Sequence, residues 1–129
     1  MLIDTSVLLA IYNKEAGYEE LLRFISKSER RWLSVASYVE FALVAKNSAW
    51  IDKVIQLSGI ELVDLSKRAA EEAVKGFFRY GKGMKNRAQL NFGDCLVYGT
   101  AKAAGVNLLF KGQDFSHTDI PSAIIESEQ

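Results

Sequence analysis

Leu2-Ile3-Asp4-Thr5-Ser6-Val7-Leu8-Leu9-Ala10-Ile11-Tyr12 is the stretch that decides how this chain folds. Leu2-Ile3 reads as a short buried strand, and Asp4-Thr5-Ser6 stops it with three residue types that cap helices well. The apolar run from Val7 to Tyr12 then continues as a helix. The same strand-then-helix order recurs downstream. Trp32-Leu33-Ser34-Val35 is a second strand candidate, leading into an apolar helix from about Ala36 to Ala45. Ile60 to Val63 is a third, followed by a helix over Ser66–Tyr80 whose apolar side holds Ala70, Val74, Phe77 and Phe78. Asn107 to Phe110 is a fourth strand, and Ala123-Ile124-Ile125 a fifth. Between them, Tyr18, Leu21, Leu22 and Ile25 recur at helical spacing. Asn47-Ser48 caps a helix that Gly59 ends, and Asn91 caps another over Phe92–Ala104 that Gly105 ends. The loop Gly81-Lys82-Gly83-Met84 is flexible by composition. Strands alternating with helices predict an α/β fold, a parallel sheet with helices on both faces.

A chain of 129 residues forms one domain, residues 1–129, and is long enough to bury a core without staples. Its single cysteine, Cys95, excludes an internal disulfide and leaves no thiol pair for a metal. The apolar start is not read as a secretory signal: no basic residue precedes it, Asp4 interrupts it, and no small-residue cleavage site follows. No segment reaches the roughly 18 apolar residues of a membrane helix, so the expected location is cytoplasmic, with no membrane partner. Formal net charge is zero, yet the distribution is uneven. Lys67 to Arg87 carries seven bases and two acids, and Arg79, Lys82, Lys85 and Arg87 follow one another with no acid between. Such a segment is either a solvated face or a holder of a phosphate backbone.

Four acids stand in or beside apolar sequence: Asp4, Glu40, Asp94 and Asp114. Three of them have a structural role available. Asp4 can cap the helix beginning at Thr5, Asp94 occupies the capping-box position after Asn91, and Asp114 lies in a turn-like segment. Glu40 is different, because its flanks from Val35 to Ala45 are apolar nearly all round and read as a buried helix. Positions 36, 37, 43 and 44 hold no base to pair with it. A metal ion shared with Asp4 and Asp94 would compensate the charge, and so would a buried arginine. In parallel α/β sheets, ligands bind where strands end and helices begin. Asp4 follows the first strand, Asp114 the fourth, and Asp94 opens a helix, so all three belong at that edge. Carboxylates gathered there repel one another, and a hard cation, Mg²⁺ or Mn²⁺, relieves the repulsion.

Ile3-Asp4-Thr5-Ser6, Glu40 on its apolar helix, Leu90-Asn91-Phe92-Gly93-Asp94-Cys95 and Leu109-Phe110-Lys111-Gly112-Gln113-Asp114-Phe115 together resemble the VapC-type toxins of the PIN-domain ribonucleases. Order, spacing and length agree over essentially the whole chain. The resemblance implies a three-layer α/β/α sandwich around a small parallel sheet, an acidic Mg²⁺ or Mn²⁺ site, and endonucleolytic cleavage of RNA leaving a 5′-phosphate and a 3′-hydroxyl. By position, Asp4, Glu40 and Asp94 match the family's metal-site acids, and Ser6 its outer hydroxyl. Relatives often carry two acids in the Gly-Gln-Asp-Phe segment. Here the first is Gln113, which leaves Asp114 as the fourth acid and Asp119 as an alternative. The expected partners are RNA, a cognate antitoxin protein and a second copy in a homodimer. Exposed apolar residues of the early helices, Tyr12, Tyr18, Leu22 and Trp50, are the expected contacts. Arg79, Lys82, Lys85 and Arg87 are expected to guide RNA toward the acids.

Other classes fit less well. A phosphoacceptor receiver needs adjacent acids near the first strand, and an aspartyl phosphatase needs a second aspartate two residues after the first, where this chain has Ser6. A catalytically silent PIN-like binding module is the remaining alternative. His117 and Cys95 read as a surface histidine and a small buried residue.

Overall fold

A computed structural model describes residues 1–124. β1 (Leu2–Ile3) leads into α1 (Thr5–Tyr12), followed by α2 (Tyr18–Lys27), β2 (Trp32–Ser34) and α3 (Val35–Ala45). The chain continues through α4 (Ser48–Ser58), β3 (Glu61–Val63), α5 (Lys67–Tyr80), α6 (Phe92–Ala104) and β4 (Leu108–Leu109). The strands are parallel in the order β3-β2-β1-β4. Leu2 pairs with Trp32 and Leu108, and Ile3 with Leu33 and Leu109.

Successive strand residues point to opposite faces, and β1 divides the core on that basis. Ile3 packs with Val7, Leu8, Leu21, Ile25 and Phe41 on one side of the sheet. Leu2 packs with Leu90, Val97, Tyr98, Leu108 and Phe115 on the other. The sheet is therefore the middle of three α/β/α layers. Caps set the helix starts: side-chain oxygens of Asp4, Ser34, Asn47, Ser66 and Asn91 each accept a backbone N–H from the first turn. Because Ser34 is both the last residue of β2 and a cap, α3 begins at Val35, one residue before the expected Ala36. Arg31, which nothing in the sequence singles out, closes the C-terminal ends of α2 and α4. Its guanidinium donates to the carbonyls of Ile25, Ser26 and Ser58.

Several expectations are corrected. The fifth strand reduces to one parallel bridge between Leu108 and Ser122, and Ile125 lies outside the described residues. α3 is not buried all round: only Ser37 and Phe41 are, whereas Val39, Leu43 and Val44 are 52%, 70% and 60% exposed. On α5 the buried stripe is Ala69, Ala73 and Gly76, and Val74 and Phe78 face outward. The physical reason is close approach. Gly76 meets the Tyr98 ring, and Gly99 of α6 meets the Ala69 carbonyl and the Ala73 backbone, so small residues make the contact and large ones are excluded from it. Tyr12 and Trp50 are not outward-facing either. They pack edge-on against each other, each also with its ring against Phe41, and Asn47 Nδ2 donates to the Tyr12 hydroxyl at 3.1 Å. Of the early-helix residues expected to meet partners, Leu22 is exposed and Tyr18 half-buried.

Candidate active site

β1 and β4 end side by side, and the backbone amide of Asp4 donates to the carbonyl of Leu109 at 2.9 Å. Asp4 is thereby fixed at the carboxyl edge of the sheet, buried, with Oδ2 accepting the Ser6 amide at 3.1 Å. Burial pushes its carboxyl above the usual range. The hydroxyl and amide of Ser6 oppose that shift, and the charge of Glu40 adds to it. Ser6 also acts on the other strand: its Oγ accepts the Lys111 amide at 3.0 Å, which ties the segment after β4 to the start of α1. Asp114 lies in that tied segment, exposed.

Asp94 enters from α6. Asn91 and Asp94 form the reciprocal capping box, Asn91 Oδ1 accepting the Asp94 amide at 2.8 Å and Asp94 Oδ2 accepting the Asn91 amide at 3.2 Å. Its carboxyl is pushed up to about 7. Burial is the largest cause, the Asn91 hydrogen bond opposes it, and the charges of Asp4, Asp114 and Glu40 each push further in the same direction. One aspartate thus reports the presence of the other three acids. Glu40 reaches the group from α3 across the backbone of Gly93. A methyl group at Gly93 would stand 2.8 Å from Glu40 Oε2. The structural role foreseen for Asp4 and Asp94 and their place in the acid group coexist in the same side chains.

Glu40 is half-buried rather than sealed inside its helix, and none of the four acids forms an ion pair among the described residues. The buried-arginine explanation is removed. Among the described residues no three His, Cys, Asp or Glu side chains already form a metal cage. The donor set nevertheless suits a hard divalent cation: carboxylate oxygens, one of them buried, whose charges add to the raised proton affinity of Asp4 and Asp94, with no ion pair to any of them among the described residues. The hydroxyl of Thr5, next to Asp4, is also buried without a hydrogen-bond partner.

Asp119 stands apart from this group. It accepts the Tyr98 hydroxyl at 2.8 Å and Lys102 Nζ at 3.0 Å, with an Arg79 guanidinium nitrogen 3.5 Å away. Its charge is compensated there, and its carboxyl is held below the usual range by Lys102, Tyr98 and Arg79 against a desolvation that acts the other way. Arg79 is correspondingly engaged, with its guanidinium also over the Tyr80 ring. Lys82, Lys85 and Arg87 are exposed and form no ion pair among the described residues. The segment expected to be flexible is held by hydrogen bonds: Lys82 N donates to the Leu90 carbonyl at 2.8 Å, and Leu90 N to that of Tyr80 at 2.7 Å. His117 is exposed and Cys95 buried.

Apolar surface borders the acids. One groove of about 630 Å³ includes Val74, Phe77, Phe78, Phe92 and Leu96. Another of about 480 Å³ includes Val39, Glu40, Leu43, Phe92 and Leu96, so the two join at Phe92, which is 79% exposed.

Gly93 is a residue of the acid group's surroundings whose closeness to Glu40 the sequence alone does not reveal. The small residue beside Asp94 was the available signal, but its meaning depends on α3 crossing it. Gly93→Ala is expected to leave the fold intact, because the clashing atom ends a flexible side chain, and to cost about tenfold in the activity of the site by moving Glu40. Circular dichroism with a turnover assay checks both halves.

The three-layer fold with acids converging at the carboxyl edge of a short parallel sheet defines a class, and comparison with known proteins agrees. The family model described as PIN domain matches residues 1–121. Ribonuclease VapC30 of Mycobacterium tuberculosis is 38% identical over 131 residues, covering 97% of this chain and 99% of that protein. Ribonuclease VapC of Mycolicibacterium smegmatis is 38% identical over 126 residues, covering 93% and 97%. Among solved structures, Mycobacterium tuberculosis VapC20, described as a Sarcin-Ricin loop cleaving toxin, superposes with a TM-score of 0.72 at 19% identity, covering 92% of this chain and 95% of that one. A toxin-antitoxin complex from Klebsiella pneumoniae gives a TM-score of 0.70 at 19% identity, covering 92% of each chain. This chain belongs to the PIN-domain family, within its group of VapC ribonucleases.

Proposed function

We propose that this protein is a divalent-metal-dependent endoribonuclease, the toxin of a toxin–antitoxin pair. The observation that carries the reading is the raised proton affinity of Asp94, caused by burial and by three acids contributed from other parts of the chain. Protein carboxylates so arranged without a counter-charge are a binding site for a cation.

In this reading Asp4 and Asp94 would hold Mg²⁺ or Mn²⁺ directly, and Glu40 and Asp114 would complete the site directly or through water. A bound ion would supply Lewis acidity for activating a water and for neutralising charge on the phosphate. The remaining work belongs to the chain. Ser6 favours the charged form of Asp4 against its burial and orients it through its amide and hydroxyl, and through Lys111 it holds the Asp114 segment in place. The capping box fixes Asp94 at the first turn of α6, so the carboxylate is positioned before any ligand arrives. Gly93 leaves room for Glu40 to reach the group.

An acid-lined site repels a polyanion, and the cations of the loop that leads into α6 answer that repulsion. Lys82, Lys85 and Arg87 are assigned to the RNA backbone. Arg79 is assigned a lesser part, because Asp119 already holds it. Replacing Lys82, Lys85 and Arg87 together with alanine should weaken RNA binding at least tenfold and reduce the slope of log affinity against log salt by about 2, since each phosphate contact to a single strand contributes about 0.7. A titration at several salt concentrations reads both, and unchanged affinity with an unchanged slope rules the assignment out.

A cognate antitoxin and a second copy of the chain are the proposed protein partners. Support comes from the exposed apolar residues Val39, Leu43, Val74, Phe78 and Phe92, and from the Klebsiella pneumoniae toxin-antitoxin complex among the structural neighbours. The test of the whole reading is cleavage of end-labelled total RNA by the purified chain with Mn²⁺, Mg²⁺ or EDTA. Discrete fragments with the metals and none with EDTA are expected. Fragments that persist in EDTA would refute the metal dependence.

A further inference from the structure

The loop between α5 and α6 carries a conformation that its sequence does not favour. Gln89 has φ +53°, in the left-handed region that glycine adopts freely and glutamine rarely does. Lys46 also has a positive φ, but it terminates α3, where left-handed backbone is ordinary, and Lys14 lies just past the end of α1. Gln89 terminates no helix. It precedes Leu90 and the cap of α6, two residues after the last base of the chain's most basic segment.

Its side chain is fully committed to the loop. Gln89 Nε2 donates to the carbonyls of Met84 at 2.9 Å and Asn86 at 3.0 Å, while Oε1 accepts the Gly83 amide at 3.0 Å. Asn86 completes the arrangement, its Oδ1 accepting the Gln89 amide at 2.8 Å and its Nδ2 donating to the Gly81 carbonyl at 3.0 Å. These bonds join both arms of a hairpin-like loop that glycines would otherwise leave loose. Gln89 itself is exposed and adds nothing to the core, which takes Ala88 and Leu90 from the same segment. What the staple fixes is the placement of Lys82, Lys85 and Arg87, three like charges that repel one another and would spread if the loop were free. Fully buried Leu90 then anchors the loop against the helix that presents Asp94.

We infer that Gln89 is a positioning residue for RNA: it holds the 81–90 loop in a strained shape so that Lys82, Lys85 and Arg87 form a preorganised phosphate-binding array on the approach to the Asp94 helix. A loop ordered in advance loses less conformational entropy on binding, which raises affinity without adding a contact. Strain kept at such a place is a mark of function when the surrounding bonds impose it. The inference rests on the assignment of these three cations to RNA.

Gln89→Gly separates positioning from folding, because it deletes the staple and relieves the strained φ in one change. Gln89→Ala deletes the staple and keeps the strain. The probe is an end-labelled single-stranded oligoribonucleotide pool, bound in EDTA at several salt concentrations, with melting curves and steady-state cleavage of the same RNA in Mn²⁺ alongside. The glycine variant is expected to melt no lower than the wild type, yet to bind about tenfold more weakly with its salt slope kept, because the charges remain. Its KM should rise about tenfold with kcat unchanged, and the alanine variant should lose the same affinity while melting lower. Wild-type affinity in Gln89→Gly, with affinity lost in the triple alanine variant at Lys82, Lys85 and Arg87, would overturn the role of Gln89 and leave the RNA face standing. Wild-type affinity in both would overturn the RNA assignment and the inference with it. Affinity losses that track the fall in melting temperature across the two Gln89 variants would reduce Gln89 to a structural residue.

Discussion

Asp94→Asn is expected to abolish the proposed RNA cleavage, by about a thousandfold or more, and to leave the protein folded. A factor of a thousand is about 4 kcal/mol of transition-state stabilisation, the scale expected when a group serving a metal-assisted reaction is lost. The fold survives because asparagine is also a good acceptor for the Asn91 amide, so the capping box persists. The same variant carries a second signature that needs no turnover. The folded-state carboxyl of Asp94 lies at about 7, above the value of 3.8 for a free aspartate. The folded protein therefore holds this proton more tightly than the unfolded chain, and stability falls as pH rises from about 4 to about 7. The shift corresponds to at most about 4 kcal/mol, and partial exposure of the carboxyl cuts this to about 2 kcal/mol. Asp94→Asn lacks that loss. In EDTA at pH 8 it should be the more stable protein by about 2 kcal/mol, and the difference should vanish near pH 4. Mn²⁺ should raise the melting temperature of the wild type and leave the variant's nearly unchanged. Denaturant melts across this pH range, with and without Mn²⁺, check each part. A variant less stable than the wild type at pH 8 would contradict the acid cluster itself.

Gly99→Ala acts on the fold. At this position α6 runs against α5 so closely that an added methyl group meets the Ala69 carbonyl and the Ala73 backbone. Neither can rotate away, in contrast to the Glu40 carboxylate that faces Gly93. Overpacking a rigid contact costs about 3 kcal/mol, and for a chain of this size the melting temperature should drop by roughly 10 °C. The site should suffer as well, because Asp94 rides on α6. A melting curve within about 1 °C of the wild type would show that the two helices can separate freely, against the close approach described.

Much of this architecture was legible because its causes are local. A strand of two apolar residues followed by Asp4-Thr5-Ser6 announces a strand-to-helix step, and the caps at Asn47 and Asn91 announce further helix starts without reference to the rest of the chain. The acids were legible for a related reason: charge beside apolar sequence needs compensation wherever the chain folds. Burial of whole helix faces was not legible. The composition of α3 suits an interior, but Val39, Leu43 and Val44 find no element of this chain to cover them among the described residues. On α5 the large residues suggested the packed face, and the small ones form it, because two helices at close approach have no space for Val74 or Phe78. Hydrophobicity states that a residue favours contact, and only the arrangement of neighbours determines which contacts exist.

The sequence by itself therefore determined the alternation of strands and helices, the parallel sheet, the caps at Asp4, Asn47 and Asn91 and which acids stand beside apolar sequence, since each depends on residues a few positions apart. The tertiary structure alone decided that Asp114 stands in the electrostatic field of Asp94 while Asp119 is neutralised by Lys102 and Arg79, that Gly93 makes room for Glu40, and that Gln89 staples the basic loop. Those relations join groups from separate elements, and Coulomb and steric forces act on distances in space that spacing along the chain does not encode.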